Sequence, residues 1–160
     1  MAGMLAPMDP TTRVRHLLAG ASDPGNPSAE ELSRLLVDVQ HVAVVGMSRD
    51  PAKAARRVPS YMAAKGYDVL PVNPKATRIL GRAAYAALAE APEPVDMVLF
   101  FRPSHLVGPF IEEAMQRPER PALWLQQGIR ADAEVEKARE RGHVCVQDLC
   151  VFRVHRAFEE

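Results

Sequence analysis

Val42-Ala43-Val44-Val45-Gly46-Met47-Ser48 is the stretch that decides the class of this fold. Its apolar run, mostly β-branched, suits a strand covered on both faces, and the glycine that stops it allows a tight turn into the following loop. Upstream, Ser28-Ala29-Glu30-Glu31 is a capping box followed by Leu32, Leu35, Leu36 and Val39 at helical spacing, which predicts a helix over residues 29–38. Downstream, two periods alternate. Residues 58–65 have helical character that Gly66 ends, and Tyr67-Asp68-Val69-Leu70-Pro71-Val72 is a second strand closed by Asn73-Pro74. Residues 95–101, 122–126 and 143–147 read as further buried strands. Between them lie helices over 103–116, with Pro103 in the favoured first turn, and over 131–141. A very short strand fits within residues 78–85.

Strand and helix alternating through short connections predict an α/β fold: a three-layer, Rossmann-like, doubly wound parallel sheet of five to six strands with helices on both faces. Such sheets bind ligands beyond the C-terminal ends of their strands, where the strand order reverses. The segments to inspect are therefore 46–48, 72–75, 101–103, 126–129 and 148–150. The globular domain is expected over residues 28–160. Residues 1–27 read as a tail, flexible or partly helical, because Pro7, Pro10, Pro24 and Pro27, with Gly20, Gly25 and Asn26, interrupt regular structure. Residues 13–19 have room for one or two helical turns that nothing in the sequence fixes in place.

Composition narrows the partners. The chain has 160 residues, enough for one domain with its own core, and its 20 basic residues balance 20 acidic ones. No global field draws it to nucleic acid or to a membrane surface, so any anion site must be local. The apolar runs are too short to span a bilayer. Residues 1–10 show neither a basic region nor an apolar core of the secretory type, so a cytoplasmic location is expected. Two cysteines make no disulfide framework.

Gly46-Met47-Ser48 stands where a dinucleotide fold carries Gly-x-Gly-x-x-Gly, with Ser48 in place of the second glycine. A serine hydroxyl and free backbone amides can still hold a phosphate there. At the end of the second strand an NAD-binding fold places a carboxylate for the ribose diol. Here the sequence is Val72-Asn73-Pro74-Lys75, with a lysine and no acid. A cation suits a ribose that carries a phosphate, as in NADP or in the 3′-phosphoadenosine of coenzyme A. A solvated lysine after a proline turn is the plainer alternative. Lys53, Arg56 and Arg57 add three positive charges near a helix start, where cations oppose the helix dipole unless an anion is near. A solvated loop explains them equally.

Other constellations point to core or surface. His143, Cys145, Cys150 and His155 match no usual zinc spacing. Asp96 and Asp148 have no histidine partner in sequence, and no nucleophile elbow or Walker loop is present. Neither catalytic residues nor a metal site are expected.

The blocks Val42–Ser48, Gly66–Pro74, Phe101-Arg102-Pro103, Trp124-Leu125-Gln126-Gln127-Gly128-Ile129 and Asp148-Leu149-Cys150 together resemble the stand-alone CoA-binding proteins. That family is similar to the N-terminal domain of the succinyl-CoA synthetase α subunit. The resemblance covers roughly residues 28–156. It implies coenzyme A lying across the strand ends. Gly46, Met47 and Ser48 would then meet the pyrophosphate, and Val72, Asn73, Pro74 and Lys75 would shape the nucleotide pocket. Phe101, Arg102 and Pro103 would line the adenine side, and Gln126, Gly128 and Ile129 the pantetheine side. Lys53, Arg56 and Arg57 enter as candidates from charge and position, because residues 54–57 depart from the family pattern. Cys150, on the same edge, is a candidate for a mixed disulfide with the coenzyme thiol. The expectation is non-catalytic binding of coenzyme A or an acyl derivative. An NADP-dependent oxidoreductase or NADP-binding module and a ligand-free interaction module are the alternatives, and a homodimer is the candidate assembly.

Overall fold

A computed structural model of the chain describes residues 8–92 and 94–159. Its elements begin with helices α1 (Pro10–Gly20) and α2 (Ala29–Asp38), strand β1 (His41–Val45), helix α3 (Ala54–Ala64) and strand β2 (Asp68–Val72). The short strands β3 (Arg78–Ile79) and β4 (Arg82–Ala83) and a 3₁₀ turn (Leu88–Glu90) follow. Then come β5 (Met97–Phe100), α4 (Ser104–Met115), β6 (Ala122–Leu125), α5 (Asp132–Glu140), β7 (Cys145–Val146) and α6 (Val151–Glu159).

Five strands form one parallel sheet in the order β2-β1-β5-β6-β7, and β3 pairs with β4 as a separate antiparallel hairpin. The fold is the expected α/β Rossmann-like arrangement. Each strand turns alternate residues to opposite faces. Val42, Val44, Leu99 and Trp124 pack with Leu32, Met62 and Val154, from α2, α3 and α6. Ala43, Val45, Phe100 and Leu125 pack with Val107, Ile111 and Val135, from α4 and α5. The sheet is thus wound on both sides, and the chain reverses direction between β1 and β5. A crevice opens there by construction.

Four expectations shift. Helix α3 starts at Ala54 rather than Val58, because Arg56 and Arg57 belong to its first turns and not to a loop. Strand β7 is shorter than the expected 143–147. Helix α6 has no counterpart in the sequence reading, although Val151, Val154 and Ala157 are spaced for one buried stripe. Residues 1–7 of the expected tail lie outside the described residues, but residues 10–20 of it are an anchored helix. Asp9 caps α1 by accepting from the Thr12 amide at 3.0 Å, Pro10 takes the first turn, and Val14 is buried. Arg13 Nε donates to the Ala157 carbonyl at 3.1 Å and ties α1 to α6.

Candidate functional site

The crevice at the reversal point is a cleft of about 380 Å³. The ends of three adjacent strands build it: Gly46, Met47 and Ser48 after β1, Val72 to Lys75 after β2, and Phe101 and Arg102 after β5. Lys53 and Ala55 from the start of α3 and Phe110 from α4 close its sides.

Gly46 is required twice over. Its φ of +83° is a left-handed conformation, and a Cβ there would lie 2.9 Å from Cδ of Arg102. Met47 is buried and anchors the loop in the core, while its carbonyl accepts from Asn73 Nδ2 at 2.8 Å. Asn73 Oδ1 accepts from the Lys75 amide at 2.7 Å, and the Asn73 amide donates to the Tyr85 carbonyl at 2.8 Å. One side chain therefore braces the two loops that floor the cleft.

Ser48 departs from expectation. Its amide is not free for a phosphate, because it donates to the Ala55 carbonyl at 3.1 Å. That carbonyl is open because Pro59, four residues on inside α3, has no N–H to offer it. The Ser48 hydroxyl accepts from the Asp50 amide at 3.0 Å and keeps its own proton to donate. At the start of α3 no side chain caps the first amides and the first turn holds no acid. The positive end of the helix is thus left without compensation.

Three cations face this cleft, and among the described residues Lys53, Lys75 and Arg102 form no ion pair. Arg102 is half-buried with its guanidinium 5.6 Å from the Phe110 ring centroid, and its buried Nε has no hydrogen-bond partner. A buried donor left without an acceptor costs on the order of 1–3 kcal/mol. The donors present fit a phosphorylated ligand, and Phe101 and Phe110 offer flat apolar surface for its base.

The remaining candidates lie elsewhere. The Arg56 side chain bonds to the Ser60 hydroxyl along its own helix, and Arg57 is exposed; neither lines the cleft. Pro103 is exposed at the cap of α4. Gln126 is buried, with Oε1 accepting from the Val151 amide at 2.8 Å and Nε2 3.5 Å from Cys150 Sγ, so it caps α6. The Gly128 amide donates to Asp148 Oδ1 at 2.6 Å, and Ile129 belongs to the core. These three build the β6–β7 end of the edge.

That end is also where the N-terminal segment crosses. Asp148 accepts from the Ser22 amide at 2.9 Å, and the Gln147 amide donates to Asn26 Oδ1 at 2.8 Å. Buried Gln147 donates from Nε2 to Asp23 Oδ2 at 2.9 Å and accepts at Oε1 from the Ala131 amide at 2.7 Å. Burial pushes the Asp148 carboxyl up, but the hydrogen bonds from Gly128 and Ser22 outweigh it and hold the group below the ordinary range. Cys150 is half-buried beside a second cavity of about 140 Å³, reached from α1. Cys145 is buried, and burial pushes its thiol up to about 11, which keeps it protonated and unreactive. Among the described residues no three His, Cys, Asp or Glu side chains gather to hold a metal ion, and no helix is long and apolar enough to cross a membrane.

Comparison with known proteins identifies the scaffold that carries this cleft. The family model described as the CoA binding domain matches residues 40–156. The chain belongs to the CoA-binding domain family. YneT of Bacillus subtilis is 33% identical to this CoA-binding domain over 130 residues, spanning 81% of this chain and 96% of YneT. The ADP-forming acetate–CoA ligase II of Archaeoglobus fulgidus is 28% identical over 102 residues, which is 62% of this chain but 15% of the ligase. Among solved structures, a Thermus thermophilus protein matches with a TM-score of 0.76 and 35% identity, covering 81% of this chain and 97% of its own. A Pyrococcus horikoshii protein matches at 0.77 and 30%, covering 82% and 92%. Helices α1 and α2 lie outside the residues that the family model matches.

Proposed function

We propose that this CoA-binding domain binds coenzyme A or an acyl derivative across the ends of β1, β2 and β5, without chemistry of its own. The observation that carries the reading is Arg102, a guanidinium whose buried Nε has no partner among the described residues, beside two further cations that form no ion pair among them, in a cleft at the reversal point. In the reading, Arg102, Lys53, the uncapped amides of α3 and the Ser48 hydroxyl take the phosphates, with Gly46 giving the backbone room to approach. Lys75 stands where the second strand would otherwise supply a carboxylate for a ribose diol, and it reads a phosphate on the ribose. Phe101 and Phe110 flank the adenine. Gln126, Gly128, Ile129 and Pro103 hold the scaffold, and Arg56 and Arg57 contribute long-range positive charge at most.

The test is direct. The purified protein is denatured and any released small molecule identified by mass spectrometry, then thermal shifts are measured with coenzyme A, dephospho-coenzyme A and NADP. Stabilisation follows ligand concentration over dissociation constant, so coenzyme A is expected to raise the melting temperature most. A shift with NADP and none with coenzyme A overturns the reading in favour of an NADP site. No shift with any of them favours an interaction module.

Cys150 carries a separate redox reading. Its thiolate attacks the disulfide of oxidised coenzyme A, forming a protein–coenzyme disulfide and releasing one reduced coenzyme A. Intact mass after incubation, with and without reductant, reads the adduct. Its absence from Cys150 ends this role.

A further inference from the structure

This inference rests on the coenzyme reading and extends it to the other end of the ligand. The unpaired cations gather at the ends of β1, β2 and β5, so the phosphates belong there. Strand β2 is the edge of the sheet, and the strand-end surface continues only toward β6 and β7. Strand β7 lies three strand spacings from β1, roughly 14 Å, which an extended pantetheine arm can span. Just beyond β7 lies a cavity of about 140 Å³, lined by Leu17, Gly20 and Ala21 at the end of α1 and by Leu149, Cys150 and Arg153 at the start of α6.

The walls differ in character. Leu17, Ala21 and Leu149 are apolar. His16, Arg153 and the Asp148 carboxylate also line it, the last already accepting from the Ser22 and Gly128 amides. Arg153 is exposed and, among the described residues, forms no ion pair, in the first turn of a helix that carries no acid there. A cation at that end opposes the helix dipole and gains from a polar or anionic neighbour. The Cys150 thiol opens onto the same space. A cavity near 150 Å³ has room for a group on the order of a benzene ring, not for a fatty chain.

We propose that this cavity receives the thiol end of the coenzyme and holds a short polar acyl group on it, with α1 as the wall that limits acyl length. Helix α1 lies outside the residues matched by the family model.

The experiment compares coenzyme A, malonyl-CoA and octanoyl-CoA by calorimetry on the full chain and on Gly20→Leu. A Cβ built on Gly20 meets no atom within 4 Å, and leucine favours a helix more than glycine does, so the variant folds while narrowing the cavity mouth. In the unaltered chain octanoyl-CoA is expected to bind about tenfold more weakly than malonyl-CoA, and Gly20→Leu to weaken malonyl-CoA about tenfold more than free coenzyme A. A second readout needs no variant: bound malonyl-CoA slows alkylation of Cys150, the half-buried cysteine, while Cys145 stays buried and silent. Octanoyl-CoA binding as tightly as malonyl-CoA, or alkylation of Cys150 unchanged by bound malonyl-CoA, overturns this inference while leaving coenzyme binding standing. Failure of the unaltered chain to bind coenzyme A at all overturns the coenzyme reading, and this one with it.

Discussion

One edge of the sheet carries two regions built on opposite terms. At the ends of β1, β2 and β5 polar groups are left over: among the described residues Lys53 and Lys75 have no carboxylate partners, and Arg102 has a buried donor and no acceptor. At the ends of β6 and β7 polar groups are committed. Gln126 caps α6, Gln147 joins Asp23 to the Ala131 amide, and Asp148 binds the amides of Ser22 and Gly128. Both regions are polar, partly buried and at the edge where α/β sheets bind ligands. What separates them is the accounting of hydrogen bonds. A group whose bonds are complete within the fold holds the fold, and a buried group with a bond unmade is poised for something from outside.

The largest effect tests the left-over side. Arg102→Met keeps an apolar stem against Phe110 and removes the guanidinium. Coenzyme A affinity is expected to fall on the order of 100-fold, about 2.7 kcal/mol, as fits loss of a charge-assisted phosphate contact. Stability is expected to hold or rise, because an unsatisfied buried donor disappears. Calorimetry and urea unfolding on the same preparations read both quantities. Affinity kept and stability lost would put Arg102 with the structural region and erase the contrast.

The committed side should behave in reverse. Asp148→Ala leaves two amides without their acceptor and places alanine at a φ of +54°. A loss of about 2–3 kcal/mol in unfolding free energy is expected, with affinity for adenosine 3′,5′-bisphosphate, the nucleotide part that does not reach β7, changed less than about threefold. The pH dependence sharpens this. The Asp148 carboxyl is held below its ordinary value in the folded chain, so its contribution is present above about pH 3.9, the unfolded value, and is lost as pH falls through the folded one. The stability gap between the native chain and Asp148→Ala should therefore close in acid. A gap that stays constant down to pH 3 would mean the charge on Asp148 is not what secures the N-terminal segment.

The same contrast explains what could be read from sequence. The sheet, its two-faced burial and the cleft at the first two strands followed from local periods and from the residues that stop each strand. The β6–β7 end did not. Gln126 reads in sequence as a ligand contact at a strand end; its bond to the Val151 amide, 25 residues on, is invisible there because only the assembled fold brings the two together. Helix α6 takes that cap from a neighbouring strand, so no local start signal marked it. Free backbone amides are expected in the loop at Ser48, but the Ser48 amide donates to the Ala55 carbonyl that Pro59 leaves open. Helix α1 is legible in part: one or two turns fit residues 13–19, and the signal that fixes its start is Asp9-Pro10, a cap followed by a first-turn proline, with Val14, Leu17 and Leu18 spaced for one face. Prolines counted as interruptions included one that begins a helix.

The smallest effect asks which phosphate the left-over charge reads. Lys75 is exposed, and its backbone is fixed by Asn73 while its side chain reaches into the cleft rim. An exposed cation is screened, so Lys75→Ala is expected to weaken coenzyme A only about fivefold and to do so less as salt rises. The informative quantity is the difference between ligands. Dephospho-coenzyme A lacks the 3′-phosphate but keeps the pyrophosphate, so a lysine that reads the ribose end costs the first ligand and spares the second. Equal losses would move Lys75 from the ribose to the general field of the cleft, joining it to Lys53. A greater loss with NADP than with coenzyme A would point instead to a phosphate on the neighbouring ribose hydroxyl, and the left-over region would then belong to a different nucleotide.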